Sequence, residues 1–188
     1  MRTIAALSLS LLALAGCDKG TVNETNASIE EVENAVAAAG PAVRLQPGRW
    51  ETSGEIVELD APGMPPQAQE MMKKQMTANA SRVAVCLRQE DVEKPNAGFF
   101  GQTSKDCRFD HYRMDSGSID AKMRCAPPGG GSVTTTMAGT YSSDHYDMEM
   151  ASQMAGLGAK QPMTMRMKVR SQRVGECQGN EYQAPSKA

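Results

Sequence analysis

This sequence predicts a mainly β fold: an antiparallel curved meander or small barrel of about seven strands with one helical insertion. Three observations predict it. Met163, Met165, Met167 and Val169 alternate strictly with Thr164, Arg166, Lys168 and Arg170, the period of a strand with one buried face. Alternating runs also flank short turn-forming segments within 107–125 and 132–150, so each pair folds back as a hairpin. Strong breaks such as Pro127-Pro128-Gly129-Gly130-Gly131 separate these runs at strand-length intervals.

At the N-terminus, residues 1–16 form a secretory signal peptide, with Arg2, an apolar run from Ile4 to Ala15, and the small Gly16 before Cys17. The run is shorter than the roughly 20 residues of a spanning helix, and Asp18 and Lys19 follow at once. Leu14-Ala15-Gly16-Cys17 resembles the bacterial lipobox. The resemblance implies cleavage after Gly16, a diacylglyceryl thioether on Cys17 and usually a third, palmitate-like chain on the new amine. Two or more chains anchor stably, since each buried methylene contributes about 0.8 kcal/mol. Asp18 is similar to the inner-membrane retention signal of enterobacterial lipoproteins, so the expected address is the periplasmic side of a membrane, the inner one favoured over the outer.

Residues 17–45 are expected to be a lipidated N-terminus and flexible tether. Within it a short amphipathic helix fits Ser28 to Ala39: Ser28 with Glu31 fits a capping box, and Ile29, Val32 and Val36 share a helical stripe, but the apolar set is thin. Roughly 28 residues of tether, at up to about 3.3 Å each, would stand the domain well off the bilayer. The β-rich domain is expected over 46–178, followed by a loose tail at 179–188. Its first strand starts near Trp50, with Gly54 marking a bulge or bend. The proline-rich stretch after Asp60 opens a helix rich in Gln, Ala, Met and Lys, whose Ala68, Met72 and Met76 would cover an open barrel end. A short apolar strand around Val85 follows, and Phe99-Phe100 are expected to plug the core edge.

Beyond Cys17 the chain has Cys86, Cys107, Cys125 and Cys177, an even set in an exported protein, which predicts two disulfides. No close Cys pair with histidine support suggests zinc. A three-residue loop Asp115-Ser116-Gly117 sets Met114 opposite Ser118 and Cys107 opposite Cys125, with Phe109, Ile119, Ala121 and Met123 on the cysteine face. That register favours Cys107 with Cys125 and, by elimination, Cys86 with Cys177. The competing pairing is Cys86 with Cys107 and Cys125 with Cys177. In the second hairpin, a turn at Ser143-Asp144 pairs Tyr141 with Tyr146, Gly139 with Met148 and Met137 with Met150.

Several of these pieces recur in a fixed order: Pro47-Gly48-x-Trp50-Glu51, Pro62-Gly63-Met64-Pro65, Val85-Cys86-Leu87, Cys107, Met123-x-Cys125, Gly-Thr-Tyr-Ser at 139–142 and Arg173-x-Gly175-x-Cys177. Over about residues 46–178 the chain resembles a bacterial domain-of-unknown-function family, number 3617. The resemblance implies an exported, often lipid-anchored proteobacterial protein rich in β-structure. It transfers no activity and no functional residue.

The 20 Lys and Arg against 22 Asp and Glu give a net charge of −2, and loss of Arg2 with the leader makes it more negative. Nucleic acid is therefore not an expected partner. His111 and His145 sit in no nucleophile or metal motif, and as strand neighbours of Asp110 and Asp144 they point to opposite faces. The chain reads as a non-enzyme without a cofactor. Met148, Met150, Met163, Met165 and Met167 place thioethers on one face, a ligand set for Cu(I). The simpler expectation is that methionine fills a core short of aromatics, which are 4% of the chain. The cationic row Arg166, Lys168, Arg170 and Arg173 fits phospholipid headgroups or an acidic partner, although such a row is usually a solvated strand face. Three functions are weighed in order: a lipid-anchored module binding an apolar ligand or envelope component, a periplasmic Cu(I)-binding protein, and a structural envelope protein.

Overall fold

The computed structural model describes residues 20–80, 82–93, 106–156 and 161–182. The leader, Cys17, Phe99, Phe100 and residues 183–188 lie outside the described residues.

Eight strands make one antiparallel sheet: β1 (Val22–Ser28), β2 (Gly48–Asp60), β3 (Val83–Leu87), β4 (Cys107–Asp115), β5 (Ser118–Cys125), β6 (Ser132–Tyr141), β7 (His145–Ala155) and β8 (Met163–Gly175). Their order is β1-β4-β5-β6-β7-β8-β2-β3. The sheet is an open curved meander and does not close into a barrel. Among the described residues three helices accompany it: α1 (Ile29–Ala39), α2 (Pro66–Ala80) and α3 (Gln89–Glu93), with a 3-10 turn at Pro41–Val43.

The eighth strand comes from the segment expected to be a flexible tether, and that expectation is corrected over residues 22–43. β1 pairs along β4, with Val22 opposite Met114 and Ala27 opposite Phe109. The capping box forms: Glu31 N–H donates to Ser28 Oγ at 3.2 Å and Ser28 N–H to the Glu31 carboxylate at 2.6 Å. α1 then lies on the sheet, burying Val32 and Val36, and the 3-10 turn that follows buries Val43. The thin stripe suffices because Ala35 and Ala39 let the helix sit close to the same core. Arg44 Nη2 donates to Ala37 O at 2.9 Å, closing a carbonyl in the last turn.

The expected helical insertion is present, but it covers an edge and not a barrel end. β3 pairs only with Gly48–Thr52, leaving the second half of β2 without a strand on that side. α2 fills in there: Ile56 N–H donates to Thr77 Oγ1 at 3.2 Å, and Lys73 Nζ donates to Val57 O at 2.9 Å. Gln69 bonds both the N–H and the carbonyl of Ala61. Side chains thus satisfy backbone groups that would otherwise invite a foreign strand. Gly54 marks the close approach of the helix end, since a Cβ there would stand 3.1 Å from Ala80 Cβ. The bulges of β2 lie elsewhere, between Arg49 and Trp50 and between Ile56 and Glu58.

The β4–β5 hairpin reaches the expected cysteine register by a different route. Asp115 pairs with Ser118, so the loop has two residues, Ser116 and Gly117, at φ 49° and 81°. Two successive positive φ values match the strand twist better than the three-residue loop that was expected. A bulge at Asp110 then restores Cys107 opposite Cys125. It also turns Tyr112 and Met114 inward, beside buried Phe109. The β6–β7 hairpin pairs Tyr141 with Tyr146, Gly139 with Met148 and Met137 with Met150, as the sequence predicts. Gly139 is obligatory there, because a Cβ would meet Asp147 O at 2.1 Å.

The disulfides are Cys107–Cys125 and Cys86–Cys177, with Cα separations of 4.0 and 5.5 Å. The second holds β3 to the segment after β8. The tail is not loose as far as Tyr182, which exchanges backbone hydrogen bonds with β3 at Ala84 and Cys86. Glu181 is buried beside it.

If α1 belongs to the core, Val32→Ala will lower unfolding free energy by about 2 kcal/mol, the loss of a buried branched side chain. Asn34→Ala on the exposed face will shift it by less than about 0.5 kcal/mol. Denaturant titration with the disulfides intact measures both.

Candidate functional site

Both the β4–β5 and β6–β7 turns lie at one end of the sheet, where Tyr141 N–H donates to Gly117 O at 2.8 Å. Gln46 N–H donates to Ser143 O at 2.6 Å and brings the start of β2 to the same end. Here α1, the 3-10 turn and α3 lean over the sheet and leave a cavity of about 70 Å³. Val36, Val43, Leu45 and Val92 line it from the cover, and Met114, Ile119 and Met148 from the strands. Tyr112, Tyr141 and Tyr146 complete the strand side.

Electrostatically the strand wall is neutral. Burial pushes the Tyr112 phenol well above its usual range, and the hydroxyl contacts Met114 Sδ at 3.2 Å. Burial, with the nearby Asp115 carboxylate, also raises Tyr141. Neither ring carries charge near neutral pH. Arg44 and Asp91 are the charged residues of the wall. Arg44 Nε is buried with no hydrogen-bond partner. An unpaired buried donor costs about 1–3 kcal/mol, so this N–H is an incentive for an acceptor to enter.

The methionines proposed as thioether ligands do two different jobs. Met148 lines the cavity, and Met148 and Met150 pack against the core that contains Met137. Met163, Met165 and Met167 line half-buried positions of β8, with Met150 opposite Met167 and Met154 opposite Met163. No group of three or more His, Cys, Asp or Glu side chains is arranged to hold a metal ion among the described residues.

Arg166, Arg170 and Arg173 of the cationic row are partnered within the fold. Arg170 Nε lies 2.8 Å from Asp147, and Arg166 lies 3.6 Å from Glu58 and 3.8 Å from Glu149. Arg173 donates to Pro47 O and contacts Glu176. A wider groove of about 470 Å³ crosses β2, β8 and β7, and this Arg170–Asp147 pair stands in its wall.

The histidines meet carboxylates that strand alternation did not anticipate. His111 Nε2 lies 2.8 Å from Asp120, across the hairpin from the bulge. Asp144 is a turn residue and reaches His145, while Ser142 joins them. Yet Ser142 Oγ, at 2.7 Å, and Asp144 Oδ1, at 2.9 Å, converge on the same ring nitrogen, Nδ1. A relay needs the hydroxyl and the carboxylate on opposite nitrogens, so this cluster orders a turn.

The model of a family described as protein of unknown function, DUF3617, matches residues 45–177. This chain belongs to that family. No curated protein and no solved structure matches it. The strand side of the cavity, Leu45, Leu87 and α3 lie within the matched stretch, whereas Val36, Val43 and Arg44 precede it. Sequence reasoning found the helix at 28–39 but not its place over the sheet. The capping box and the valine spacing were its visible signals; the position of Arg44 had none.

Near the same end, Glu181 accepts from the N–H groups of Gln178 and Gly179, and these bonds hold its carboxyl below the usual value of 4.5. A lowered folded value means the carboxylate's contribution is full above 4.5 and is lost as pH falls through the lowered value. Hydrogen exchange at Gln178 and Gly179 will therefore stay slow from neutral pH down to the ordinary carboxylate range and quicken below it, after correction for intrinsic rates. Glu181→Gln will remove that pH dependence.

Proposed function

We propose that this protein is an exported lipoprotein, anchored through Cys17 to the periplasmic side of a membrane, whose domain holds the end of an acyl chain. The chain end enters the cavity under α1, and an acceptor oxygen of the same ligand meets Arg44. The reading is non-enzymatic. What carries it is one observation: an apolar cavity whose wall holds a buried, unpartnered Arg44 N–H.

Size sets the ligand class. Sites that take whole drug-sized molecules run to roughly 300–1,000 Å³, and an apolar cavity of about 150 Å³ takes a single benzene. A cavity of about 70 Å³ suits a few methylenes. Its neutral phenols and thioethers favour a saturated chain over a polar substrate. A carboxylate or ester oxygen at Arg44 supplies orientation.

The chain has a built-in reporter. Trp50 is the sole tryptophan, stacked on Tyr146 of the cavity wall with ring centroids 6.0 Å apart. Titration with fatty acids of increasing length will change its fluorescence, and affinity will rise about fourfold per added methylene, at ~0.8 kcal/mol each, until the cavity is full. Ile119→Trp, assayed by calorimetry, will block binding. Arg44→Gln will weaken fatty acids while leaving neutral alkanes unchanged. No response to any chain length sinks the proposal.

The Cu(I) reading retains one favourable feature, the facing of Met150 and Met167 beside Met163 and Met165. It is tested separately. If thioethers bind Cu(I), changing Met163, Met165 and Met167 together to Leu will abolish it without altering the fatty-acid response.

A further inference from the structure

We propose that the end of the sheet carrying the cavity lies against the bilayer, so that the acyl chain the cavity accepts comes from the lipids of the leaflet that holds Cys17. The proposal rests on the acylation of Cys17 proposed above.

The chain enters the fold at that end. Val22 stands opposite Met114, a cavity residue next to the β4–β5 turn. Gly20 sits against the 3-10 turn, where a Cβ on it would come 3.0 Å from Ala42 Cβ. Ala42 is followed by Val43 and Arg44 of the cavity wall.

Cys17 lies three positions before Gly20. Fully extended, those residues reach roughly 10 Å. The opposite end of the sheet, at Cys107, is the length of β4 away, roughly 27 Å at about 3.4 Å per residue. A cysteine whose lipid is in the membrane can therefore lie beside the cavity end but cannot reach the far end. A tether running to Gln46 would have imposed no such choice. With β1 and α1 folded, the connection is short enough to select which end of the sheet faces the lipid.

A chain end leaving the leaflet would then reach the cavity wall formed by Val43, Ile119 and Met148. This fits a cavity too small for a whole lipid.

The test uses the mature acylated protein in nanodiscs of phosphatidylethanolamine and phosphatidylglycerol doped with a gadolinium-chelating lipid. Intact mass first establishes whether Cys17 is acylated. Amides of Ser116, Gly117, Ser143 and Asp144 will broaden several-fold more than those of Pro127-flanking Ala126, Gly129 and Gly130. Acylated protein with uniform or reversed broadening overturns the orientation while leaving the anchor intact. Absence of the acyl mass removes the anchor and the proposal with it. Acyl contacts to the Ile119 and Met148 methyls that vanish on deuterating the nanodisc lipids support the leaflet as source. Contacts that persist assign the protein's own Cys17 chains and overturn it.

Discussion

An antiparallel sheet that does not close on itself has an apolar face to cover and two edges to terminate, and the elements around the β4–β8 meander answer to that constraint. β1 takes one edge, lying along β4. At the other edge β3 pairs with only the first part of β2, and α2 covers the remainder with side-chain hydrogen bonds. α1 covers the face over β1 and β4, where Val32 and Val36 join Phe109 and Tyr112 in the core. A closed barrel would have had no edges to terminate; in this open sheet the cavity forms instead beneath the cover.

Much of the strand pattern was legible because burial and alternation speak the same language. Tyr141, Gly139 and Met137 could only face Tyr146, Met148 and Met150 if both strands kept one apolar face. The first hairpin was legible in outcome but not in mechanism. A three-residue loop, or a two-residue loop with a bulge, each places Cys107 opposite Cys125, and only the conformations of Ser116 and Gly117 separate them. The bulge mattered more than the turn, since it made Tyr112 a core residue.

The N-terminal segment was the larger omission, and its cause is compositional. Acidic residues, alanines and two buried valines resemble a solvated linker when judged by hydrophobic content alone. What the sequence cannot display is the receiving surface: an exposed β4 edge and an apolar sheet face turn a weak amphipathic helix into a required one. The candidate site depends on that packing. Val36, Val43 and Arg44 come from the segment, Met114 and Ile119 from the first hairpin, and Met148 from the second. With Leu87 and Val92 from β3 and α3, the site draws on four distant stretches, and no local motif could have announced it.

The pairing of β2 with β8 also fixes an order of events. β4 to β8 form a meander in which each strand meets its sequence neighbour, so its contacts close small loops. β2 precedes that whole meander yet pairs only with its last strand and with β3. A chain emerging N-terminus first must hold β2 and β3 unpaired with β8 until the final strand is complete. Only then can Cys86 meet Cys177, 91 positions away. The disulfide thus lies beside the strand pairing of greatest sequence separation, the class of contact that costs most loop-closure entropy, and it covalently holds that closure once made.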